Sequence, residues 1–322
     1  MALDPRRSGL GWLWAVLLSC APAHALELRD DPGQRTGPAA SRVVEDDATL
    51  TLLITGEQAG EVGACGCEGR PLGGLARQQA YVEAVEATGT PSLVLNAGGW
   101  LDARASGTEL TERAQVANQG FLKGLRRVRV DVLNVGWPEF AALQGRGRPG
   151  LVASGLHHEQ PVLDLVTLDV GGTRVAVTGM TRPGMPYLMP EGTVTDPAVT
   201  GVQTALAGVE RDLAVVLVYD DPAGARAVSM LPGVDLVVDA ARFHGRYDPF
   251  TDGALHVRTW EQGQRLTEVR LWLGDEGIEE ALVRQVDLDA DIGVAWLPPG
   301  PPVLEVYRPP DVGSGEPRAT FP

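Results

Sequence analysis

The stretch from Thr51 to Trp100 reads TLLITGEQAG at 51–60, ACGC at 64–67, PLGGLARQQAYV at 71–82 and SLVLNAGGW at 92–100. Its first and last pieces hold nearly continuous apolar runs, which predict strands at 49–55 and 92–96 that are buried on both faces. Between them, Val82 and Val85 follow a Gly-Gly pair at helical spacing. A strand, a helix and a second strand in this order indicate an α/β fold.

The rest of the chain continues this alternation. Further strands are predicted at 131–135, 213–219 and 235–239, and a helical apolar stripe is formed by Leu110, Ala114, Ala117 and Phe121. Two hairpins are predicted: 162–170 with 173–178, and 254–260 with 266–273 across Gln262-Gly263. We therefore expect two packed mixed β-sheets flanked by helices.

The first 25 residues have the features of a secretory signal peptide. A basic pair lies at 6–7, an apolar run at 10–18 and Ala-His-Ala, a small-x-small cleavage site, at 23–25. Because this run is too short to span a membrane, we predict an exported protein, periplasmic or extracellular, without a transmembrane span. A second interpretation stays open: LLSC at 17–20 resembles a bacterial lipobox, in which Cys20 would carry a lipid anchor.

Composition divides the remaining chain into three parts. Residues 26–47 are polar and rich in Gly, Pro and Asp, and predict a flexible lead-in. The domain extends over 48–297, and 298–322 form a Pro/Gly-rich tail. With 27 Lys and Arg against 42 Asp and Glu, the formal net charge is −15. This argues against nucleic-acid binding, which depends on basic residues that contact phosphates.

The order of motifs resembles that of the calcineurin-like metallophosphoesterases, and most closely the exported 5'-nucleotidase and UDP-sugar hydrolase branch. Those proteins open with a strand ending in Asp-x-His, then a GGLAR helix, then a strand ending in Gly-Asp. Here GGLAR lies at 73–77, DVLNVG at 131–136, VGGTRVAVTGMT at 170–181 and PGVDLVV at 232–238. The resemblance covers residues 50–273 and implies the four-layer sandwich of the metallo-dependent phosphatases.

The same resemblance implies that the family's metal ligands are replaced. Glu57 and Ala59 stand at the Asp-x-His positions, and Gly99 stands where the family has the aspartate that bridges both metals. The family motif Gly-Asn-His-Glu becomes GWPE, so that Trp137 replaces the amide ligand and Pro138 replaces the histidine. Trp100 and Trp137 are expected to fill the former metal pocket, either as core or as an aromatic platform for a ligand.

Two further ligand positions follow later strands. Asp220 stands near the place of the next histidine, and Ala241 and Phe243 stand at the final Gly-His-x-His pair, with His244 one residue beyond. A two-metal hydrolase needs carboxylates and imidazoles that converge on ions about 3.5–4 Å apart. Because no ligand position keeps its family residue, the resemblance implies release from the requirement to bind two metals.

Two functions of different classes follow. The first is an exported, catalytically inactive binding or scaffold protein, a pseudoenzyme with no cofactor whose partner is an unknown protein or small molecule of the exported compartment. The second is a metal-dependent phosphoester hydrolase, 5'-nucleotidase-like, with a rearranged site at Glu57, Asp220 and His244. A divalent metal is expected only under this second function.

The cysteine pair supports a third function. In an oxidising compartment Cys65 and Cys67 could form a disulfide, and two cysteines fall short of the four ligands of a closed zinc site. The pair resembles the EPCGC segment that some exported bacterial relatives carry before GGLAR. That resemblance implies a redox partner as the third possibility.

Overall fold

Strands and helices alternate along the chain, as the apolar runs predict. The structure, a computed structural model, describes residues 26–65, 71–106, 109–143, 151–154, 156–157, 163–181, 194–195, 198–219, 222–240 and 253–293. Its strands are β1 (Glu27–Leu28), β2 (Leu50–Thr55), β3 (Ser92–Asn96), β4 (Ala105–Ser106), β5 (Glu109–Leu110), β6 (Val132–Asn134), β7 (Leu151–Val152), β8 (Leu156–His157), β9 (Leu165–Val170), β10 (Thr173–Thr181), β11 (Val194–Thr195), β12 (Leu213–Tyr219), β13 (Leu236–Asp239), β14 (Leu255–Arg258), β15 (Arg265–Gly274) and β16 (Gly277–Asp287). Its helices are α1 (Ala39–Arg42), α2 (Leu75–Glu86), α3 (Glu112–Leu125), α4 (Trp137–Ala142), α5 (Ala198–Leu206) and α6 (Pro222–Ser229).

Two mixed sheets carry the fold. The larger has seven strands in the order β1-β16-β15-β2-β3-β6-β7, and the smaller has five in the order β14-β13-β12-β10-β9. β2, β3 and β6 are parallel, whereas β15 is antiparallel to both β2 and β16. In the smaller sheet β10, β12, β13 and β14 are parallel and β9 is antiparallel. The predicted pair of mixed sheets is confirmed.

The apolar core lies between the sheets and on their outer faces. Successive residues of a strand point to opposite faces, so Leu52 packs between the sheets while Leu53 packs outward against α2. The five-stranded sheet does the same, with Val215 inward and Val216 outward against α5 and α6. A third outer cluster joins α3 and α4 to the larger sheet. Helices therefore cover both sheets, and the molecule is the predicted four-layer sandwich.

The first predicted hairpin is confirmed and the second is wrong. β9 and β10 pair antiparallel across Gly171 and Gly172, which both have positive φ. β14, however, pairs parallel with β13 in the smaller sheet, while β15 pairs with β2 and β16 in the larger one. The 3₁₀ turn Glu261–Gly263 therefore carries the chain from one sheet to the other. Positive φ at Gln262 and Gly263 gives the local geometry of a hairpin turn, but it does not select the strands that pair.

The segment 26–47, for which the sequence predicts a flexible lead-in, packs against the larger sheet. β1 pairs parallel with β16, and Ala39 and Val43 join the outer core cluster of α2. Arg42 is buried, donates to the carbonyl oxygen of Asp287 at 2.8 Å and forms an ion pair with Asp289 at 2.6 Å. Polar composition misleads here because these polar residues are partners in buried ion pairs.

Candidate functional site

Three loops of the larger sheet and the end of a strand of the smaller sheet lie together. β2, β3 and β6 run parallel, so the loops that follow them leave the same edge of the larger sheet. β12 of the smaller sheet ends at Tyr219, a buried residue of the core between the sheets. Ligands of open α/β sheets bind outside the carboxyl ends of the strands. This edge is the candidate site, and it is also where the sequence places Glu57, Ala59 and Gly99.

The loop after β2 is fixed by backbone hydrogen bonds to the loop after β3. The N–H of Glu57 donates to the carbonyl of Gly98 at 2.8 Å, and the N–H of Ala59 donates to that of Gly99 at 2.9 Å. Both Glu57 and Ala59 have left-handed backbone, with φ of 49° and 50°. Non-glycine residues rarely adopt this conformation, and such residues cluster at functional sites. The loop after β2 therefore has an uncommon backbone geometry at both positions.

The ring of Tyr219 lies against three glycines of the facing loops. A Cβ atom on Gly99 would lie 2.5 Å from Cε2 of this ring, and one on Gly136 would lie 2.5 Å from Cδ1. A Cβ atom on Gly98 would lie 2.8 Å from Cβ of Tyr219. These separations are shorter than real carbon contacts, so each glycine is required by the ring. The candidate site is therefore filled by an aromatic side chain from the opposite sheet.

The side chain of Glu139 is hydrogen-bonded to the backbone of two of these loops. It is fully buried and accepts hydrogen bonds from the N–H groups of Leu101 at 2.7 Å, Gly136 at 2.9 Å and Gly99 at 3.4 Å. Burial raises the pKa of Glu139 to about 8, against the lowering effect of its backbone donors and with a further rise from the charge of Glu57. At neutral pH this carboxyl group therefore holds a proton in most molecules, and a protonated carboxyl is a poor cation ligand.

A chain of side-chain amides supports the same loops from the helix side. Asn96 donates to Gln58 Oε1 at 2.6 Å, and Gln58 donates to Gln78 Oε1 of α2 at 3.0 Å. Asn96 also accepts from the N–H of Gly98 at 3.0 Å. All three amides are buried. They hold the loops after β2 and β3 on α2, which makes this edge of the sheet rigid.

Trp100 lies in the core beside the site and does not form a platform within it. The indole is 2% exposed and packs with Phe121 of α3 at a ring separation of 6.3 Å. Its Nε1 donates to the carbonyl oxygen of Asn134 at 3.0 Å. Of the two interpretations of Trp100, the structure favours core packing. Trp137 and Pro138 begin α4, and their side chains lie outside the described part of the structure.

The remaining predicted positions are placed only in part. Cys65 is half-buried, and its Sγ lies 3.5 Å from Oε1 of Gln262, whose N–H donates to the carbonyl oxygen of Glu57 at 2.6 Å. The other six predicted positions lie outside the described residues: Cys20, Cys67, Asp220, Ala241, Phe243 and His244. The disulfide, the lipid anchor and the rearranged metal site therefore stay predictions.

The fold family implies a pair of divalent metals, and the described residues do not fit it. A carboxylate at position 99 has no room, because its Cβ would already lie 2.5 Å from Tyr219 and 2.9 Å from Glu57 Oε1. Glu139 is occupied by backbone donors. Within the described ranges, no three His, Cys, Asp or Glu side chains lie where they could share one ion. We derive no catalytic step through a metal.

The glycines that face Tyr219 are visible in the sequence. Consecutive glycines at 98–99 and a further glycine at 136 mark places where another group approaches the backbone closely. The aromatic residue at the end of β12 is the group that approaches. Nothing in the sequence connects these positions directly, because the contact joins two different sheets.

This chain has the fold of the calcineurin-like metallophosphoesterases. Two mixed sheets lie between layers of helices, and the carboxyl ends of β2, β3, β6 and β12 lie together. Among solved structures, it is similar to the 5'-nucleotidase precursor of Thermus thermophilus, with a TM-score of 0.62 and 19% identity over 76% of this chain and 55% of that one. The sulfate thiohydrolase SoxB of the same organism gives a TM-score of 0.60 and 19% identity over 76% of this chain and 58% of that one.

A third similar structure is the NAD nucleotidase of Haemophilus influenzae, with a TM-score of 0.58 and 13% identity over 74% of this chain and 49% of that one. The chain thus spans about half the length of the solved structures it matches. No protein-family model matches the chain, and no curated protein matches it. Identities this low show a shared fold alone, so substrate and activity have to be inferred from the residues of the site.

Proposed function

We propose that this chain is an exported protein in which the phosphoesterase fold serves as a binding or scaffold module without metal-dependent catalysis. The supporting observation is that the catalytic edge of the fold is a closed core. Tyr219 is 1% exposed, Glu57 is 5% exposed and Glu139 is fully buried. A substrate phosphate would have to displace these side chains before it could reach the loops that follow β2 and β3.

The chemistry of the same residues also supports a non-catalytic role. Hydrolysis of a phosphoester in this fold class calls for metal-bound hydroxide, which needs ionised ligands that face an open position. Glu139 instead points at backbone N–H groups, and Gly99 has no side chain. The partner we expect is a protein or a small molecule of the exported compartment, bound outside this closed edge.

Metal content and metal-stimulated hydrolysis of an aryl phosphate test the proposal. We expect the purified chain from Leu26 onward to carry no stoichiometric divalent metal, and to show no turnover with added Mn²⁺, Zn²⁺ or Mg²⁺ above a blank. An active metallophosphoesterase assayed in parallel serves as the positive control.

The hydrolase alternative makes the opposite prediction. It expects about one metal per chain and turnover that a chelator removes and that Asp220→Ala abolishes. The matched control is Asp212→Ala, an aspartate just before β12 on the same strand segment. Chelator-sensitive turnover that survives Asp212→Ala and is lost in Asp220→Ala would overturn the proposed function.

Export is the second part of the proposal. Residues 1–25 fused to a reporter enzyme that is active only outside the cytoplasm should give reporter activity. Cys20→Ser separates the two processing routes, because it removes a lipid anchor but leaves simple cleavage intact. An inactive fusion protein that is recovered from the cytoplasm would contradict export. None of the helices in the described part of the chain has the length and apolar character needed to cross a bilayer.

A further inference from the structure

We propose that the ring of Tyr219, and not the loss of metal ligands alone, is what excludes a cation from the former metal centre of this chain. The inference rests on the proposed function in that both concern the same edge of the sheets. It goes further, because it assigns the exclusion to one residue, Tyr219, which the sequence analysis did not single out. It also predicts what must change before a ligand side chain can be accepted.

The ring and the glycines depend on each other. Tyr219 ends β12 in the smaller sheet, while Gly98, Gly99 and Gly136 belong to loops of the larger sheet. Each of the three glycines would place a Cβ atom within 2.8 Å of Tyr219. A side chain at position 99 and a ring at position 219 are therefore mutually exclusive. Restoring an aspartate at position 99 without shortening Tyr219 cannot rebuild a ligand.

Two carboxyl groups, those of Glu57 and Glu139, lie near the ring of Tyr219. The position of a Cβ atom on Gly99 lies 2.9 Å from Oε1 of Glu57, and that of a Cβ atom on Gly136 lies 2.7 Å from Oε2 of Glu139. Each of these positions lies 2.5 Å from an atom of the Tyr219 ring. Removing the ring therefore leaves a space bordered by two carboxyl groups. A cation in this space would favour the ionised form of both groups, and hard divalent cations bind carboxylate oxygens.

A double-mutant cycle tests the mutual exclusion without any metal. Gly99→Ala is made with Tyr219 and with Tyr219→Ala, and melting temperatures are measured by circular dichroism. Gly208→Ala is the matched control: Gly208 and Gly99 both have φ of 70°, but nothing lies within 4 Å of a Cβ atom on Gly208. Both substitutions therefore place alanine at the same positive φ, and Gly99→Ala in addition meets the ring of Tyr219 and Oε1 of Glu57.

We expect Gly99→Ala to lower the melting temperature by at least about 5 °C more than Gly208→Ala when Tyr219 is present. In the Tyr219→Ala background the excess cost of Gly99→Ala over Gly208→Ala should fall, because the contact with the ring is gone and only the contact with Glu57 Oε1 at 2.9 Å remains. Equal losses from Gly99→Ala in both backgrounds would overturn the inference.

The second arm uses Mn²⁺ alone as the probe. Gly99→Asp is compared with Gly99→Asp/Tyr219→Ala by titration calorimetry, and we expect the double variant to bind Mn²⁺ at least tenfold more tightly. Equal binding by folded Gly99→Asp with the ring in place contradicts the proposal, as does a folded double variant that does not bind. Where Gly99→Asp does not fold, folding of the double variant supports the proposal; where neither folds, the alanine cycle decides.

The outcomes separate this inference from the proposed function. Metal-dependent turnover by the unmodified chain would contradict the proposed function, whereas the cycle between positions 99 and 219 is read from unfolding alone. Turnover supported by residues outside the described ranges could coexist with full coupling between Gly99 and Tyr219. Lack of coupling in an inactive protein would reject only the role assigned to Tyr219.

Discussion

Glu139 holds the loops of the closed edge together at a cost that depends on pH. Its carboxyl group is buried beside Glu57 and accepts three backbone hydrogen bonds. Burial raises its pKa to about 8, from an ordinary value of 4.5. The folded chain therefore binds a proton that the unfolded chain releases between these two values.

This difference predicts that stability falls as pH rises. The stabilisation from protonated Glu139 is complete below about pH 4.5 and is lost as pH rises through about 8. Within this window the free energy of unfolding should fall by up to about 1.4 kcal/mol per pH unit relative to Glu139→Gln, which cannot titrate. Urea denaturation from pH 5 to 9 measures both chains.

Exposed Glu109→Gln is the control for the general effect of removing a negative charge. It should leave the pH dependence of the parent chain unchanged. If Glu139→Gln and the parent differ by a constant amount at every pH, Glu139 does not titrate in this range.

At the residue scale, the sequence predicted positions better than roles. The strand predictions put Glu57 and Gly99 in the loops that follow two neighbouring strands, and in the structure both residues lie beside Glu139 at one edge of the sheets. They could not show that Tyr219 fills this edge, because the contact crosses between sheets. They also assigned Trp100 an alternative role as a platform, whereas its indole packs on Phe121. Side-chain direction within a loop depends on tertiary neighbours, which a periodic pattern does not contain.

At the scale of elements, the start of α3 is stabilised by the residue that precedes it. Thr111 is its N-cap, and the side chain accepts a hydrogen bond from the N–H of Ala114 at 3.2 Å. The helix then buries Ala114, Asn118 and Phe121 against the loops of the candidate site. Asn118 accepts from the N–H of Asp102 at 2.6 Å, so α3 also fixes the end of the loop after β3.

Thr111→Ala should lower the free energy of unfolding by about 0.5–2 kcal/mol, because one N–H group at the start of α3 loses its acceptor. Thr111→Ser keeps the oxygen and should stay close to the parent chain. Both values come from urea denaturation at one pH. A loss of the same size in Thr111→Ser would mean that the methyl group and not the cap matters.

A buried ion network joins α2 to β15 and β16. Glu268 is fully buried and accepts from the Tyr81 hydroxyl at 2.6 Å, from Arg284 Nε at 2.9 Å and from Arg270 at 3.2 Å. Glu268→Ala should therefore lower the free energy of unfolding by about 3–5 kcal/mol, because two buried guanidinium groups lose a partner.

The control for Glu268 is Glu86→Ala, which breaks an ion pair with Arg129 at the surface. That pair is exposed to solvent, so its loss should cost about 0–1 kcal/mol. Chemical denaturation of the two variants under the same conditions compares them. Similar small losses in both would show that the buried network contributes little.

Element types and order were predictable, but pairing across the molecule was not. The predicted strands at 92–96 and 213–219 coincide with β3 and β12, because continuous apolar runs mark strands buried on both faces. The error at β14 and β15 arose because both strands are apolar and a turn-forming Gln262-Gly263 lies between them. β14 instead pairs with β13, the strand before it, and β15 pairs with β16, the strand after it, and with β2, which lies far away along the chain.

At the scale of the whole molecule, residues at the start of the described chain pair with residues near its end. β1 pairs with β16, and Arg42 contacts Asp287 and Asp289 across about 245 residues. Arg270, which is fully buried, forms its other ion pair with Asp46 at 2.5 Å. The segment 26–47 is therefore part of the domain that the sequence predicts for 48–297.

A chain that starts at Ala48 should be less stable by about 3–5 kcal/mol or more, because Arg270 loses Asp46 and Asp289 loses Arg42. Urea denaturation measures the loss, and limited proteolysis should show faster cleavage near β16. Removal of 298–322, the predicted tail, is the matched comparison and should change stability little. Equal stability of the chains from Leu26 and from Ala48 would mean that residues 26–47 do not stabilise the domain and act only as a linker.

Because these contacts join residues far apart in the sequence, they limit when during synthesis the protein can fold. Strands β15 and β16 complete the larger sheet, and two residues that contact this part of the chain, Arg42 and Asp46, are synthesised well before it. The native sheet cannot close until the ribosome has passed residue 287, so the sheet stays incomplete while the residues before it are made. If the chain is exported as proposed, a translocation channel that accepts only unfolded chains would receive it before the sheet closes, and these contacts would form after translocation.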